Sequence, residues 1–204
     1  MFLPPNPTIE TSRLTIRLVE RTDLPALLDV NGDDEVTRYL PYESWKDMAD
    51  GEAWYERTTS RLAVGDGGQF VILSRASCQI IGTCLLFRFD AGSARAEVGY
   101  VLAQAHWGKG YMLEAMTAFL AFAFGPIGLR RIEAQIDPRN TSSRTLLERL
   151  GFVKEGHLRQ RSEMKGEIVD SDFYGLLRAD WLASRSAREQ PDAPANESDG
   201  QSGR

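Results

Sequence analysis

Leu14, Ile16 and Leu18 alternate with Arg13, Thr15 and Arg17, the period-2 pattern of a half-buried strand. The pattern then changes to helical spacing. Leu24, Leu27, Leu28 and Asn31 share one side of a helix that starts near Asp23. A second helix is predicted from about Asp47 to Val64, with Trp54, Arg57, Thr58 and Arg61 at helical intervals. Tyr39, Leu40, Pro41, Tyr42 and Trp45 form an aromatic-rich connection between the two. Three strands follow over Gln69–Leu73, Ile80–Phe89 and Ala94–Leu102, and their short turn-like links favour an antiparallel meander.

The order then changes to alternating helix and strand. A helix is predicted from Gly110 to Phe124, apolar around nearly its whole circumference and therefore packed on several sides. A strand over Leu129–Ile136 and a helix over Thr141–Leu150 come next, with Gly151 placed to end that helix in the left-handed conformation. Two more strands are expected near Phe152–Leu158 and Ile168–Leu177. From Ser184 the chain turns to Ser, Arg, Glu, Pro, Asp and Gly, too polar to offset its ordering entropy. The expected organisation is an N-terminal extension (1–9), one α/β domain (10–183) built on a central mixed, mostly antiparallel sheet flanked by helices, and a disordered polar tail (184–204).

Composition narrows the classes. With 204 residues, 42% hydrophobic and 26% charged, the chain can fill one full-sized core. A net charge of -5 argues against phosphate-backbone binding and no nucleic-acid partner is expected; a cationic or amine partner suits it better. Cys78 and Cys84, with His106 and His157, give no metal-ligand spacing, so no metal is expected. No leader is read in the first residues and no apolar run approaches the roughly 20 residues that span a bilayer, which places the expectation in a reducing cytoplasm.

Candidate chemistry begins at Ala105-His106-Trp107-Gly108-Lys109-Gly110-Tyr111, between a strand and a helix. Gly108 and Gly110 remove Cβ atoms where free helix N–H groups emerge, so backbone can approach an anion and the helix N-terminus adds partial positive charge. Lys109 adds a full one. The Walker pattern is excluded because Gly110 stands where Ser or Thr is needed; the dinucleotide fingerprint is excluded because Leu113 replaces its third glycine.

The run Glu97-Val98-Gly99-Tyr100-Val101-Leu102, then His106 to Met112 and Glu114-Ala115, resembles the cofactor-binding core of the GNAT acetyltransferases, in the branch of the RimJ and RimL ribosomal-protein N-terminal acetyltransferases. Three further segments agree in order: Glu10–Arg17; Asn140–Ser143 with Leu146–Phe152 and Glu155-Gly156; and Asp172–Arg178 with Trp181. The resemblance covers about residues 10 to 181 and implies acetyl-CoA as co-substrate. It implies that Tyr100, Val101 and Leu102 hold the pantetheine arm, and that Gly108, Lys109, Gly110, Tyr111 and Met112 cradle the pyrophosphate. Asn140 and Ser143 would lie near the thioester sulfur, Asn140 with a second role as helix N-cap.

Two departures stand out. Ala105 occupies a position where many members carry Arg or Gln, and Leu147 stands at the tyrosine-acid site, leaving Ser143 or water to protonate the thiolate. Glu97, on the side of Gly99 and Val101, is the candidate base for the attacking amine. The acceptor pocket is expected to draw on Tyr39, Trp45 and the hairpin from His157 to Asp172. The reading is an N-acetyltransferase acting on a primary amine, foremost a protein N-terminal α-amine, as a monomer or homodimer. A small-molecule amine acetyltransferase, for an aminoglycoside or polyamine, and a non-catalytic acyl-CoA-binding module are the alternatives.

Overall fold

In a computed structural model, described for residues 3–189, one eight-stranded sheet runs through the molecule in the order β1-β2-β3-β4-β5-β6-β8-β7. Its strands are β1 (Thr8–Glu10), β2 (Leu14–Leu18), β3 (Gly67–Ser74), β4 (Ile80–Asp90), β5 (Arg95–Leu102), β6 (Arg131–Ile136), β7 (Val153–Met164) and β8 (Glu167–Leu177). Every neighbouring pair is antiparallel except β5 and β6. The mixed, mostly antiparallel sheet and the meander over β3–β5 are as the pattern predicts.

Alternation along the strands divides the core between two faces. Leu14, Ile16, Phe70, Ile72, Leu86, Ala96 and Val98 point to one face, against α4 (Tyr111–Phe124) and α5 (Thr141–Leu150). Val71 points to the other, against α1 (Leu24–Asn31) and α3 (Met48–Ala63). The wide apolar girth of α4 is used: Met112, Ala115, Met116, Phe119, Leu120, Ala123 and Phe124 are all buried. α5 has the predicted ends because both caps are chemical. Asn140 Oδ1 accepts from Ser143 N–H at 3.0 Å, and Gly151 at φ 93° returns its N–H to the helix carbonyls.

Several boundaries differ from expectation. Residues 8 and 9, assigned to the N-terminal extension, pair with β2 as part of β1. A one-turn helix, α2 (Asp34–Thr37), interrupts the aromatic connection; Asp33 caps it by accepting from Glu35 N–H at 2.9 Å. Trp45 is not a wall of any acceptor pocket: it is 6% exposed and packs on Trp54 at 5.4 Å. β7 runs past Leu158 to Met164. At the C-terminal end, α6 (Arg178–Glu189) continues beyond Ser184, where the polar tail was expected to begin. Trp181 fastens it by packing 5% exposed against Phe124. The rest of that expected tail, 190–204, lies outside the described residues.

Candidate active site

The sheet is split where its one parallel pair diverges. β5 and β6 are in register only over Arg95↔Arg131, Ala96↔Ile132 and Glu97↔Glu133. Beyond Glu97, β5 stays with β4 as far as Leu102 and β6 stays with β8 as far as Ile136. The β6-facing edge of Val98–Leu102 therefore has no strand partner, and its backbone groups are open to a ligand lying in the gap.

A cavity of about 520 Å³ occupies this gap. Of the residues expected at the cofactor site, Tyr100, Val101, Leu102, Gly108, Gly110, Tyr111, Met112, Asn140 and Ser143 line it. Glu35, Arg38 and Tyr39 close it from the α2 side, and Arg139, Leu146 and Arg149 from α5 and its approach. Glu97 and Lys109 are not among the lining residues.

The loop at the start of α4 is shaped by its glycines. Gly108 has φ 70° and Gly110 φ 76°, a conformation that side-chain-bearing residues rarely adopt. A Cβ on Gly108 would meet nothing within 4 Å, so the loop faces open space and not a crowded interior. The first-turn N–H groups of α4 emerge beside it with no intrahelical acceptor, which makes the loop a seat for a phosphate. The Lys109 side chain does not serve that seat: its Nζ donates back to the Ala105 carbonyl at 2.7 Å. Positive character at the loop comes from backbone. Trp107 Nε1 donates to the Leu102 carbonyl at 2.7 Å and ties the loop to the end of β5.

A second support was not foreseen. Glu114, in the first turn of α4, accepts from Thr11 Oγ1 (2.6 Å), Ser12 Oγ (3.0 Å), Arg13 N–H (2.9 Å) and Arg13 Nε. Partial burial pushes its carboxyl up, but the bonds from Thr11, Arg13 and Ser12 outweigh this and hold it at about 2. Arg13 also donates to the Lys109 carbonyl at 3.1 Å and lies 4.4 Å over the Tyr111 ring. Both members of the pair lie in segments that carried the family resemblance, but their pairing across a hundred residues has no local signal.

Glu97 stands at the vertex of the gap, on the face opposite α4. Arg88 Nη1 pairs with it at 2.7 Å, and Glu133 is its neighbour across the ladder. Burial raises its pKa, against the opposing pull of Arg88. That direction makes the carboxylate a better proton acceptor than an ordinary glutamate. Tyr100 lies on the other face, its hydroxyl 3.5 Å from the Ser143 carbonyl; burial pushes the phenol up to about 12. Leu147, on the inward face of α5, is fully buried in the core.

The hairpin of β7 and β8 lies mainly apart from this cavity. His157, Leu158, Arg159, Arg161 and Asp170 border a separate open groove. The hairpin meets the cleft region at its tip, where Lys165 Nζ donates to the Thr37 carbonyl of α2 at 2.9 Å. Among the described residues, no group of three or more His, Cys, Asp or Glu is placed to hold a metal ion, and no helix is long and apolar enough to cross a membrane.

Comparison with known proteins agrees with this geometry. Residues 13–153 match the model of the Acetyltransferase (GNAT) domain. The chain is 34% identical over 174 residues to an uncharacterized N-acetyltransferase, p20, of Bacillus licheniformis, covering 85% of this chain and 98% of that protein. It is 30% identical over 190 residues to the [ribosomal protein uS5]-alanine N-acetyltransferase of Escherichia coli, covering 89% and 96%. Among solved structures, spermidine N-acetyltransferase from Vibrio cholerae in complex with CoA and spermine superposes with a TM-score of 0.74 at 25% identity, covering 84% of this chain and 99% of that one.

Proposed function

The chain belongs to the GNAT family of acetyl-CoA-dependent N-acetyltransferases, and we propose that its acceptor is the α-amine of a protein N-terminus, reached in the cytoplasm. The observation that carries this reading is the charge of the cavity. Among its described lining residues Glu35 is the one carboxylate, and it is already paired with Arg38; Arg139 is held by Asp137 and Glu167, and Arg149 adds a further guanidinium group. A polyamine brings several positive charges and needs several carboxylates; an α-amine on a peptide brings one. The similarity to an alanine N-acetyltransferase over nearly the whole length of both chains supports the same choice.

Amine chemistry points the same way. An amine attacks a thioester as its free base. With reference pKa values near 8 and 10.4, roughly 10% of an α-amine but about 0.04% of a lysine is neutral at pH 7, a difference of about 3 kcal/mol.

The cavity fits acetyl-CoA: an anion seat at Gly108–Met112 leads into a slot along the unpaired edge of β5. In this reading Tyr100, Val101 and Leu102 bind the pantetheine arm through backbone, with Asn140 and Ser143 at its inner end. Free N–H groups of β5 meet the thioester oxygen as it gains charge. Glu97 receives the amine proton through water, since it does not line the cavity itself.

The test is thiol release from acetyl-CoA with a panel of acceptors. Peptides with free α-amines should turn over faster than the same peptides blocked at the N-terminus, and faster than spermidine or an aminoglycoside. Faster turnover of spermidine would establish the polyamine reading instead. Binding of acetyl-CoA without turnover of any amine would leave an acyl-CoA-binding module.

A further inference from the structure

We infer that the Tyr100 hydroxyl is the hydrogen-bond donor to the sulfur that departs from the acyl group. The inference rests on acyl transfer in the cavity described above and assigns a chemical role to a residue otherwise expected only to bind cofactor.

The reaction creates the need. As the amine nitrogen bonds to the carbonyl carbon, the carbon–sulfur bond breaks and its electron pair moves to sulfur. The amine loses its proton to the base. A thiolate formed in a partly dry cleft is costly unless a fixed donor faces it. Leu147, buried on the inward face of α5, has no proton to offer. Among the hydroxyls on the cavity wall, Thr141 and Ser142 are exposed at the mouth of α5, Thr145 is occupied by the Thr141 carbonyl at 3.0 Å, and Tyr111 lies under Arg13 at the phosphate end. Tyr39 belongs to the α2 side. Tyr100 and Ser143 remain at the inner end of the slot.

Tyr100 is the better placed of the two. It is the third residue past the last β5–β6 pair, so it stands inside the gap and not beside it. It shares its strand face with Ala96 and Val98, the face of α4 and α5. Its hydroxyl reaches the first turn of α5 but finds only the Ser143 carbonyl, at 3.5 Å. A bond that long holds the ring in position while leaving the hydrogen available to a stronger acceptor. Burial keeps the phenol protonated throughout the neutral range, so the donor form is always present. A phenol is also a stronger donor than the aliphatic hydroxyl of Ser143.

The experiment uses Tyr100→Phe in the full chain, beside Ser143→Ala. Calorimetry should find acetyl-CoA affinity within about threefold of the parent, while kcat falls about 10- to 100-fold, the range of a charge-assisted hydrogen bond. A second readout does not depend on turnover. The thiol of bound coenzyme A, followed by thiolate absorbance, should titrate about one to two units higher in Tyr100→Phe than in the parent protein. Ser143→Ala should shift it less. Equal thiol titration in parent and Tyr100→Phe, or a larger effect from Ser143→Ala, overturns the assignment. Failure of the parent protein to release thiol with any amine would sink the transferase reading instead, which acetyl-CoA binding alone would not rescue.

Discussion

Replacing Glu114 with Gln should loosen the phosphate loop and lower stability in a pH-dependent way. The substitution keeps the shape and one acceptor oxygen but removes the charge on which Thr11, Ser12 and Arg13 converge. The carboxyl falls from an ordinary 4.5 to about 2, which at 1.36 kcal/mol per unit is about 3 kcal/mol. Arg13 is 44% exposed, and solvent screening there reduces the net contribution to about 1.5–2 kcal/mol. The folded-state pKa is depressed, so the contribution is complete above about pH 4.5 and is lost as pH falls towards 2. Urea unfolding should therefore separate parent and Glu114→Gln by about 1.5–2 kcal/mol at pH 7 and by much less near pH 3. Arg13, freed from Glu114, should also release the Lys109 carbonyl and the Tyr111 ring, raising the Kd for acetyl-CoA by about three- to tenfold. Equal stability at pH 7 together with an unchanged Kd would mean that the network neither stabilises the fold nor holds the loop.

Gly110→Val should weaken acetyl-CoA binding at least about tenfold by calorimetry, because φ 76° and backbone approach to phosphate both exclude a branched side chain; a Cβ there clears Arg13 at 3.6 Å, so the melting temperature should drop only a few degrees. Glu97→Gln should lower kcat by roughly 10²-fold at pH 7 and regain rate at high pH, where the amine is already neutral; a flat pH–rate difference would make the Arg88 pair purely structural. The same raised carboxyl should place the acid limb of the parent kcat/KM profile above the ordinary carboxylate range. Tyr174 is 1% exposed and its hydroxyl has no hydrogen-bond partner among the described residues, so Tyr174→Phe should be neutral or stabilising by about 1 kcal/mol in urea unfolding.

What was legible in the sequence depended on how local the cause is. α5 was located to the residue because Asn140 and Gly151 are its own caps. α3 and α4 were found from long runs with one period. β1 and α2, at three and four residues, are too short for any period to register. α6 was not predicted because its composition is polar; contacts that join distant segments fasten it, Trp181 on Phe124 and Arg178 N–H on the Arg130 carbonyl. Trp45 was expected at the acceptor pocket because its actual partner, Trp54, lies on another element. The site divides the same way. The glycine loop and the cap of α5 are local signatures, and their residues line one cavity. That Glu97 lies off that cavity, and that Lys109 folds back, depend on Arg88 and the Ala105 carbonyl and had no signature in the residues themselves.

The gap itself has no sequence signal, yet it organises the chemistry proposed here. Continuous pairing of β5 and β6 would seal the sheet and separate its two faces by a layer of backbone. Ending the ladder at Glu97↔Glu133 opens a passage between them, and strand alternation then decides which residue serves which side. Glu97 points to the face of α1 and α3, Tyr100 to the face of α4 and α5. An acceptor entering beside α2 and a thioester lying along α5 would meet at the edge of β5, with the base on the amine side and the hydroxyl on the sulfur side. In the proposed mechanism this arrangement would keep the base and the hydroxyl donor on separate faces, three residues apart on one strand. A one-residue shift of β5 would exchange the two roles, which is why a reading of the mechanism must rest on register as much as on the residues themselves.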